Sequence, residues 1–211
     1  MSFVHLQVIS SYSLLHSPIK LPELVSTAKE RNYDAIALTD INFLYGQIEF
    51  FKLCKEAGIK PIIGLQLDLT GVIYKQEKFP LVLLAKNYHG YQKLMSLSTI
   101  TSSGDEKELK QALSTGLQDM IAITPGEKGE IEYLLKNSEK EKAKEVAYYW
   151  QQQFSEGHFY LGIQIHQKMQ ALIEPLKELG QKLEIPLTAM HDVRYLNPED
   201  RFSTEVLRAI D

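Results

Sequence analysis

The chain has 211 residues, 44% apolar and 24% charged, with 12 glycines and 8 prolines, the balance of a water-soluble globular protein long enough to build a core without disulfides or a structural metal. A count of 23 basic against 27 acidic side chains leaves a net charge of −4, the wrong sign for gripping phosphate backbones by bulk electrostatics. The single cysteine, Cys54, excludes a disulfide framework or a cysteine-rich zinc module, and no apolar run reaches the ~20 residues of a membrane span, so the expectation is a cytoplasmic protein with no membrane partner.

In chain order, the first strand is expected at VHLQVI (4–9). Pro22 suits the first turn of a helix that turns Leu24, Val25 and Ala28 inward. A strand at AIALT (35–39) precedes a helix carrying Ile48, Phe51 and Cys54, whose thiol is expected to pack inertly. PIIGLQLDL (61–69) and PLVLLA (80–85) are further strands, followed by a helix with Leu94, Leu97 and Ser98. TITSSGDEKE (99–108) is expected to be a long or mobile loop. MIAIT (120–124) is the next strand. The TPGEKG stretch (124–129) after it has the look of a phosphate-binding turn, but it lacks the full G-x-x-x-x-G-K-[ST] spacing and is read as a strand-to-helix connection.

KNSEKEKAKE alternates its charges as a solvated helix face does. Ala143, Val146, Ala147, Trp150 and Phe154 then repeat at i, i+3, i+4, i+7 and i+11, a core-facing stripe. FYLGIQI (159–165) and PLTAM (186–190) complete seven candidate strands. Between them Pro175 interrupts the pattern Met169, Leu172, Ile173, Leu176, Leu179, predicting a kinked helix or two pieces. Asn197-Pro198-Glu199-Asp200 announces a last helix, expected to bury Phe202, Val206, Ala209 and Ile210.

Strands that are continuous apolar runs, alternating with helices, predict an α/β fold with a largely parallel sheet, either a barrel or an open doubly wound sheet. In both, function collects at the carboxyl ends of the strands. The polar residues expected there are His5 and Gln7 on one strand face, then Asp40, Gln66, Gln164, His166, His191, Asp192 and Arg194. A metal cluster would want imidazoles and carboxylates converging on this edge. The chain supplies mostly amides.

FVHLQVISSYSLL, ALTDINFLYGQIEFFKLCKEAGIKPIIGLQ, FPLVLLAKNYHGYQKLMSLS and HDVRYLNPED together resemble the PHP (polymerase and histidinol phosphatase) domain. The form most similar opens the DNA polymerase III alpha subunit of low-GC Gram-positive bacteria, and the similarity runs over essentially the whole chain. It implies a distorted seven-stranded (βα) barrel, TIM-barrel-like, over residues 1–211 as a single domain and fragment of a longer polymerase. Active members of the family hold up to three metal ions at the strand ends and hydrolyse phosphoesters with metal-activated water.

Set against the family's motifs, this sequence departs at nearly every ligand. Gln7 and Ile9 stand where the first motif has H-x-H, Ile41 where a histidine follows LTD, and Gln66 where a glutamate is expected. Pro80, Arg194 and Thr204 replace further histidines. Asp192 remains, with Asp40 beside it, and His191 is a third weak candidate for a residual metal. Ile9, Ile41 and Pro80 have no side-chain donor, and arginine cannot be deprotonated to become one. A guanidinium can, however, take a cation's place beside carboxylates, so an ion pair from Arg194 to Asp192 or Asp40 is expected.

His5 is expected to be a buried, hydrogen-bonded histidine, His16 a surface one, and His89 and His158 ordinary loop residues. The reading is therefore a domain with no catalytic residue and no metal of its own, whose role is structural or docking. Its partners by resemblance are the polymerase body of the same chain, replisome proteins and, through the parent, primer-template DNA. Template-directed DNA synthesis, a nucleotidyltransferase reaction using magnesium, belongs to that parent. The alternatives are an active zinc- or manganese-dependent phosphoesterase or 3′-5′ proofreading exonuclease, and a free-standing phosphatase of the histidinol phosphate type.

Overall fold

A computed structural model of the chain describes residues 3–210. One mixed sheet runs in the order β1 (Ala35–Leu38), β2 (Lys60–Thr70), β3 (Lys78–Ala85), β4 (Met120–Ile123), β5 (Phe159–Ile163) and β6 (Leu187–Ala189). The helices are α1 (Leu21–Glu30), α2 (Gln47–Ala57), α3 (Tyr88–Ser103), α4 (Glu106–Ala112), α5 (Glu130–Lys136), α6 (Lys140–Gln153), α7 (Gln170–Leu183) and α8 (Arg201–Ile210), with 3-10 turns at Gln167–Met169 and Pro198–Asp200.

The sheet has six strands where seven were expected, because residues 4–9 make no continuous ladder. On one flank the amides of Ala37 and Thr39 donate to the carbonyls of His5 and Val8. Donors two residues apart thus meet acceptors three apart, which leaves one residue unmatched and breaks the register. The Thr39 hydroxyl fills in, lying 3.0 Å from the Val8 amide and 3.2 Å from its carbonyl. On the other flank the Ile9 amide donates to Val193 O, the Val193 amide donates to Gln7 O, and one parallel bridge joins Val8 to Val193.

Apolar continuity was expected to mean a parallel sheet, and here the direction differs. β1/β2, β4/β5 and β5/β6 are parallel, whereas β3 runs antiparallel to both β2 and β4. Residues 71–77 join β2 to β3 as a turn without a helix. A parallel crossover takes a dozen or more residues, so this connection can only make a hairpin. Both faces of β3 are nevertheless covered, and its sequence is continuously apolar for that reason.

The same turn is tied down from a distance. The Glu130 carboxylate, at the start of α5, accepts from the amides of Val72 (2.8 Å), Ile73 (2.8 Å) and Tyr74 (3.1 Å). Glu130→Ala leaves three half-buried amides without that acceptor and is expected to cost about 2–4 kcal/mol. Urea denaturation checks it; a loss under about 1 kcal/mol would mean the hairpin holds its own shape.

Side chains alternate across the sheet. Ala37, Val82, Leu84, Ile123 and Met190 pack inside its curve. Leu65, Leu67, Leu81 and Leu83 face outward to α3 through α7, where Trp150 and Phe154 join the same core. A second outer layer gathers Leu24, Val25, Ala28, Phe50 and Cys54 from α1 and α2. Burial pushes the Cys54 thiol up to about 11, so it stays protonated and packs as a small apolar group.

Three helical expectations need correction. Residues 99–108 are not a loop: they end α3 and begin α4, with only Gly104 and Asp105 between. The hydroxyls of Thr99, Thr101 and Ser102 donate to carbonyls one turn back, so polarity there is absorbed by the helix. Gly104 takes the left-handed φ of 74°, and Asp105 caps α4 through the Glu108 amide at 2.8 Å. Pro175 sits inside one unbroken helix, α7, which excludes the two-piece alternative. Ala171, whose carbonyl loses its helical donor to that proline, is exposed, so water can satisfy it.

The last helix begins as expected behind a capping box of Asn197 and Asp200, but it does not bury its apolar stripe. Phe202 is 74% exposed, Ile210 65% and Val206 41%, and Ala209 is exposed too. Thr204 is the residue that turns inward. Periodicity identifies an apolar face; it does not say what covers it.

Candidate functional site

The expected site residues gather on one rim of the sheet. Asp40, just past β1, is 1% exposed and accepts from the Ser10 amide at 2.7 Å, the Ser10 hydroxyl at 2.7 Å and the Ser13 hydroxyl at 2.8 Å. Burial pushes its carboxyl upward, and the hydrogen bonds from Ser10 and Ser13 pull the other way. The Ser13 oxygen also accepts from the Ile41 amide at 2.9 Å. The ISSYS segment thus wraps Asp40 in serines, and Arg194 does not reach it.

Next to it, Gln7 Nε2 donates to Gln66 Oε1 at 3.0 Å, and both side chains are buried. Ile41 bridges to Gln66 through the backbone, and Ile9 is fully buried beside them. Pro80 stands opposite Asp68. It reaches this rim because β3 is reversed, so the start of that strand, not its end, lies level with the end of β2.

Asp192 and Arg194 form the other half. Arg194 is 5% exposed, and its Nε donates to both Asp192 oxygens at 2.9 Å, while Nη1 lies 3.4 Å from the His16 carbonyl. Lys128 approaches the same carboxylate at 3.4 Å. The Ser17 hydroxyl donates to the Arg194 carbonyl, which stitches the early loop to the late one. Thr204 is buried and donates to Asp200 O within its own helix turn, 3.2 Å away. An open cavity of about 560 Å³ lies beyond Asp192, lined in part by Lys128, Lys136, His166 and His191.

His166 and His191 share the cavity beside Asp192, whereas His5 and His158 lie apart from it. His5 is half-buried with Nε2 3.3 Å from the Tyr33 hydroxyl, and its ring is 6.5 Å from that of His191. Burial lowers its pKa, with His191 and Arg31 adding to the effect. His158 pairs with Lys86. His191 is exposed.

Sequence reasoning missed Ser10, Ser13 and Glu132. Glu132, in α5, is completely buried beneath the 124–129 turn. The Thr124 hydroxyl donates to its Oε1 at 2.6 Å and accepts from the Gly162 amide at 2.8 Å. Glu132 Oε2 has no partner, and burial pushes the carboxyl up to about 7. A methyl on Gly162 would stand 2.1 Å from Thr124 O, so only glycine lets the strand approach this closely. A polar serine pair in ISSYS was the one visible signal; Glu132 lay in an ordinary helical pattern.

The rim can be tested as a metal site by its donors. Each carboxylate is already engaged by protein donors, Gln7 donates to Gln66 while its own Oε1 stays buried without a partner, a lone amide oxygen and so a weak ligand, and a guanidinium occupies the side of Asp192 that a cation would need. Among the described residues no group of three or more His, Cys, Asp or Glu side chains is placed to hold a metal ion. The residues present do not fit a divalent cluster, which wants several converging imidazoles and carboxylates.

Comparison with known proteins adds three findings. A family model described as the PHP domain matches residues 5–166. The DNA polymerase III alpha subunit of Bacillus subtilis is 44% identical over 211 residues, covering 100% of this chain and 19% of that protein. The alpha subunit of Halalkalibacterium halodurans is 33% identical over 214 residues, again 100% and 19%. The chain thus spans about a fifth of the length of the curated relatives it matches. Among solved structures, an amidohydrolase from Chromobacterium violaceum, with bound sulfate and no metal, superposes with a TM-score of 0.59 at 12% identity. That match covers 98% of this chain and 97% of the other, a likeness of fold.

Proposed function

Because the chain belongs to the PHP domain family, we propose that it serves as the PHP domain of a replicative DNA polymerase III alpha subunit and acts there as a structural and docking module with a degenerate metal site. The observation that carries the second half is the Arg194–Asp192 pair, a guanidinium seated on both carboxylate oxygens where the family motif has an imidazole ligand. Template-directed DNA synthesis, its magnesium and its primer-template DNA belong to the parent chain, in the cytoplasm. No helix among the described residues is long and apolar enough to cross a membrane.

Residues 1–211 are read as one domain. The family model ends at 166, but Asp192 and Arg194 lie on the same rim as Gln7 and Asp40, and the relatives align over the whole chain. Residues 5–9, bonded to β1 on one flank and to Val193 on the other, are read as the seventh stave of the family's barrel. The uncovered stripe of α8, with Leu14 at 78% exposure beside it, lines a shallow uncharged groove. A face of this kind suits packing against the polymerase body.

Dialysis against zinc and against manganese, followed by metal analysis and hydrolysis assays on bis-p-nitrophenyl phosphate and 3′-labelled single-stranded DNA, tests the reading. The expected result is no stoichiometric metal, no turnover, and a melting temperature that EDTA leaves unchanged. Stoichiometric metal with turnover abolished by Asp192→Ala would establish the phosphoesterase or 3′-5′ exonuclease instead.

A further inference from the structure

In an unbroken βα repeat every strand-to-strand connection lays a helix on the outside of the sheet. The β2–β3 connection is a hairpin and supplies none. The outer face between α2 and α3 is therefore missing the helix that would fill it. What remains is a groove of about 550 Å³ whose floor is Pro61 and Ile63 from the start of β2 and Ala85 from the end of β3.

Its walls are apolar and open to solvent. On α2, Ile48 is 64% exposed and Phe51 45%; across the groove, Tyr88 at the start of α3 is 67% exposed. Ile48, Phe51, Lys52 and Lys55 are spaced three and four residues apart, so they form one stripe of the helix. The opposite side of α2 is the one that packs inward, through Gln47, Phe50 and Cys54. Ser98 in α3 donates to Asn42 O at 2.9 Å, fixing α3 to the loop that leads into α2, so the groove is bounded by anchored elements.

Charge selects the occupant. The chain carries a net charge of −4, yet among the described residues the groove lining holds two lysines, Lys52 and Lys86, and no carboxylate. Lys55 adds a third cation, 5.8 Å from the centre of the Phe51 ring. A chain of net charge −4 weakly repels acidic partners over most of its surface, whereas this trough, with lysines as the charged residues of its lining, attracts one locally even with Asp119 bonded to Asn87 at its edge.

We propose that the groove between α2 and α3 is a docking site for an amphipathic helical segment of a partner protein, apolar on one side and carrying carboxylates on its flanks. The segment takes the position of the helix that the hairpin omits, with its apolar anchors over Pro61 and Ile63 and its acids beside Lys52 and Lys86. This surface is remote from the Asp40–Asp192 rim: it uses the beginning of β2 and the end of β3, whereas the rim uses Gln66 and Pro80 at their other ends.

The test uses two fluorescein-labelled synthetic 14-residue helical peptides with leucines at i, i+3, i+4, i+7 and i+11, one with glutamates and one with lysines elsewhere. Fluorescence anisotropy with the whole chain should show the glutamate peptide binding at least about tenfold more tightly than the lysine peptide. Ile48→Asp and Lys52→Glu, both at exposed positions, should each weaken it by about tenfold or more while leaving the melting temperature unchanged. Equal binding of the two peptides, binding of neither, or indifference to both substitutions overturns the proposal. So does sedimentation showing a dimer of the chain that Ile48→Asp dissolves, which would assign the groove to a second copy.

Discussion

Glu132→Gln will stabilise the protein by about 3 kcal/mol at pH 8 relative to its effect at pH 4. The carboxyl is fully buried, one oxygen accepts from Thr124 and the other has no partner, and burial pushes its pKa from an ordinary 4.5 to about 7. A raised carboxyl pKa means the folded state holds the proton more tightly than the unfolded chain does. Its contribution is thus fully present below about 4.5, is lost as the pH rises to about 7, and is constant above that. Glutamine keeps the shape and the acceptor for Thr124 but never ionises. Urea denaturation of both proteins from pH 4 to pH 8 should give a difference that grows across that window. A pH-independent difference would show that the buried carboxyl finds a partner on ionisation.

Arg194→Ala will cost about 3 kcal/mol, below the upper range for breaking a buried ion pair because the Asp192 side chain keeps 18% of its surface in solvent. The loss has two parts: Asp192 is left with only Lys128 at 3.4 Å, and the His16 carbonyl loses its contact. Arg194→Ala combined with Asp192→Asn removes the orphaned charge as well as its partner, so the pair together should cost less than the two single changes summed. Additive costs in a double-mutant cycle would mean that Arg194 acts through packing alone.

These two sites were unequally legible in the sequence. Asp192 and Arg194 sit two residues apart in one polar loop, so a mutual ion pair is a local inference from charge, and the geometry is local too. Glu132 is different: its partner Thr124 and the strand that packs over it, at Gly162, come from separate elements, and a glutamate in a helix usually faces water. Nothing in a periodicity distinguishes a solvated glutamate from one trapped beneath a turn. Asp40 lies between these cases. The LTD motif marked it, but its charge is held by Ser10 and Ser13 from a loop thirty residues upstream, not by the arginine that formal charge suggested.

The fold shows the same division. Strand positions were legible because an apolar run bounded by turn residues depends on nearest neighbours. Direction was not: β3 is as apolar as a parallel strand, and only the shortness of residues 71–77 betrays the hairpin. The serine- and threonine-rich stretch at 99–108 misled because hydroxyls serve a helix's own carbonyls as readily as they serve turns. On α8 the pattern was right and the burial wrong, since periodicity records that a face needs covering and cannot name the cover.

The contacts of residues 5–9 with Val193, and of Ser17 with Arg194, join parts of the chain about 180 positions apart. During synthesis the β2–β3 hairpin can zip as soon as it leaves the ribosome, whereas the opening segment must wait for nearly the last helix before it gains its second neighbour. Residues 5–9 are thus translated well before the segment around Val193 that fastens them. Loss of the residues after β6 would therefore be felt first at residues 5–9, as protease sensitivity around Gln7.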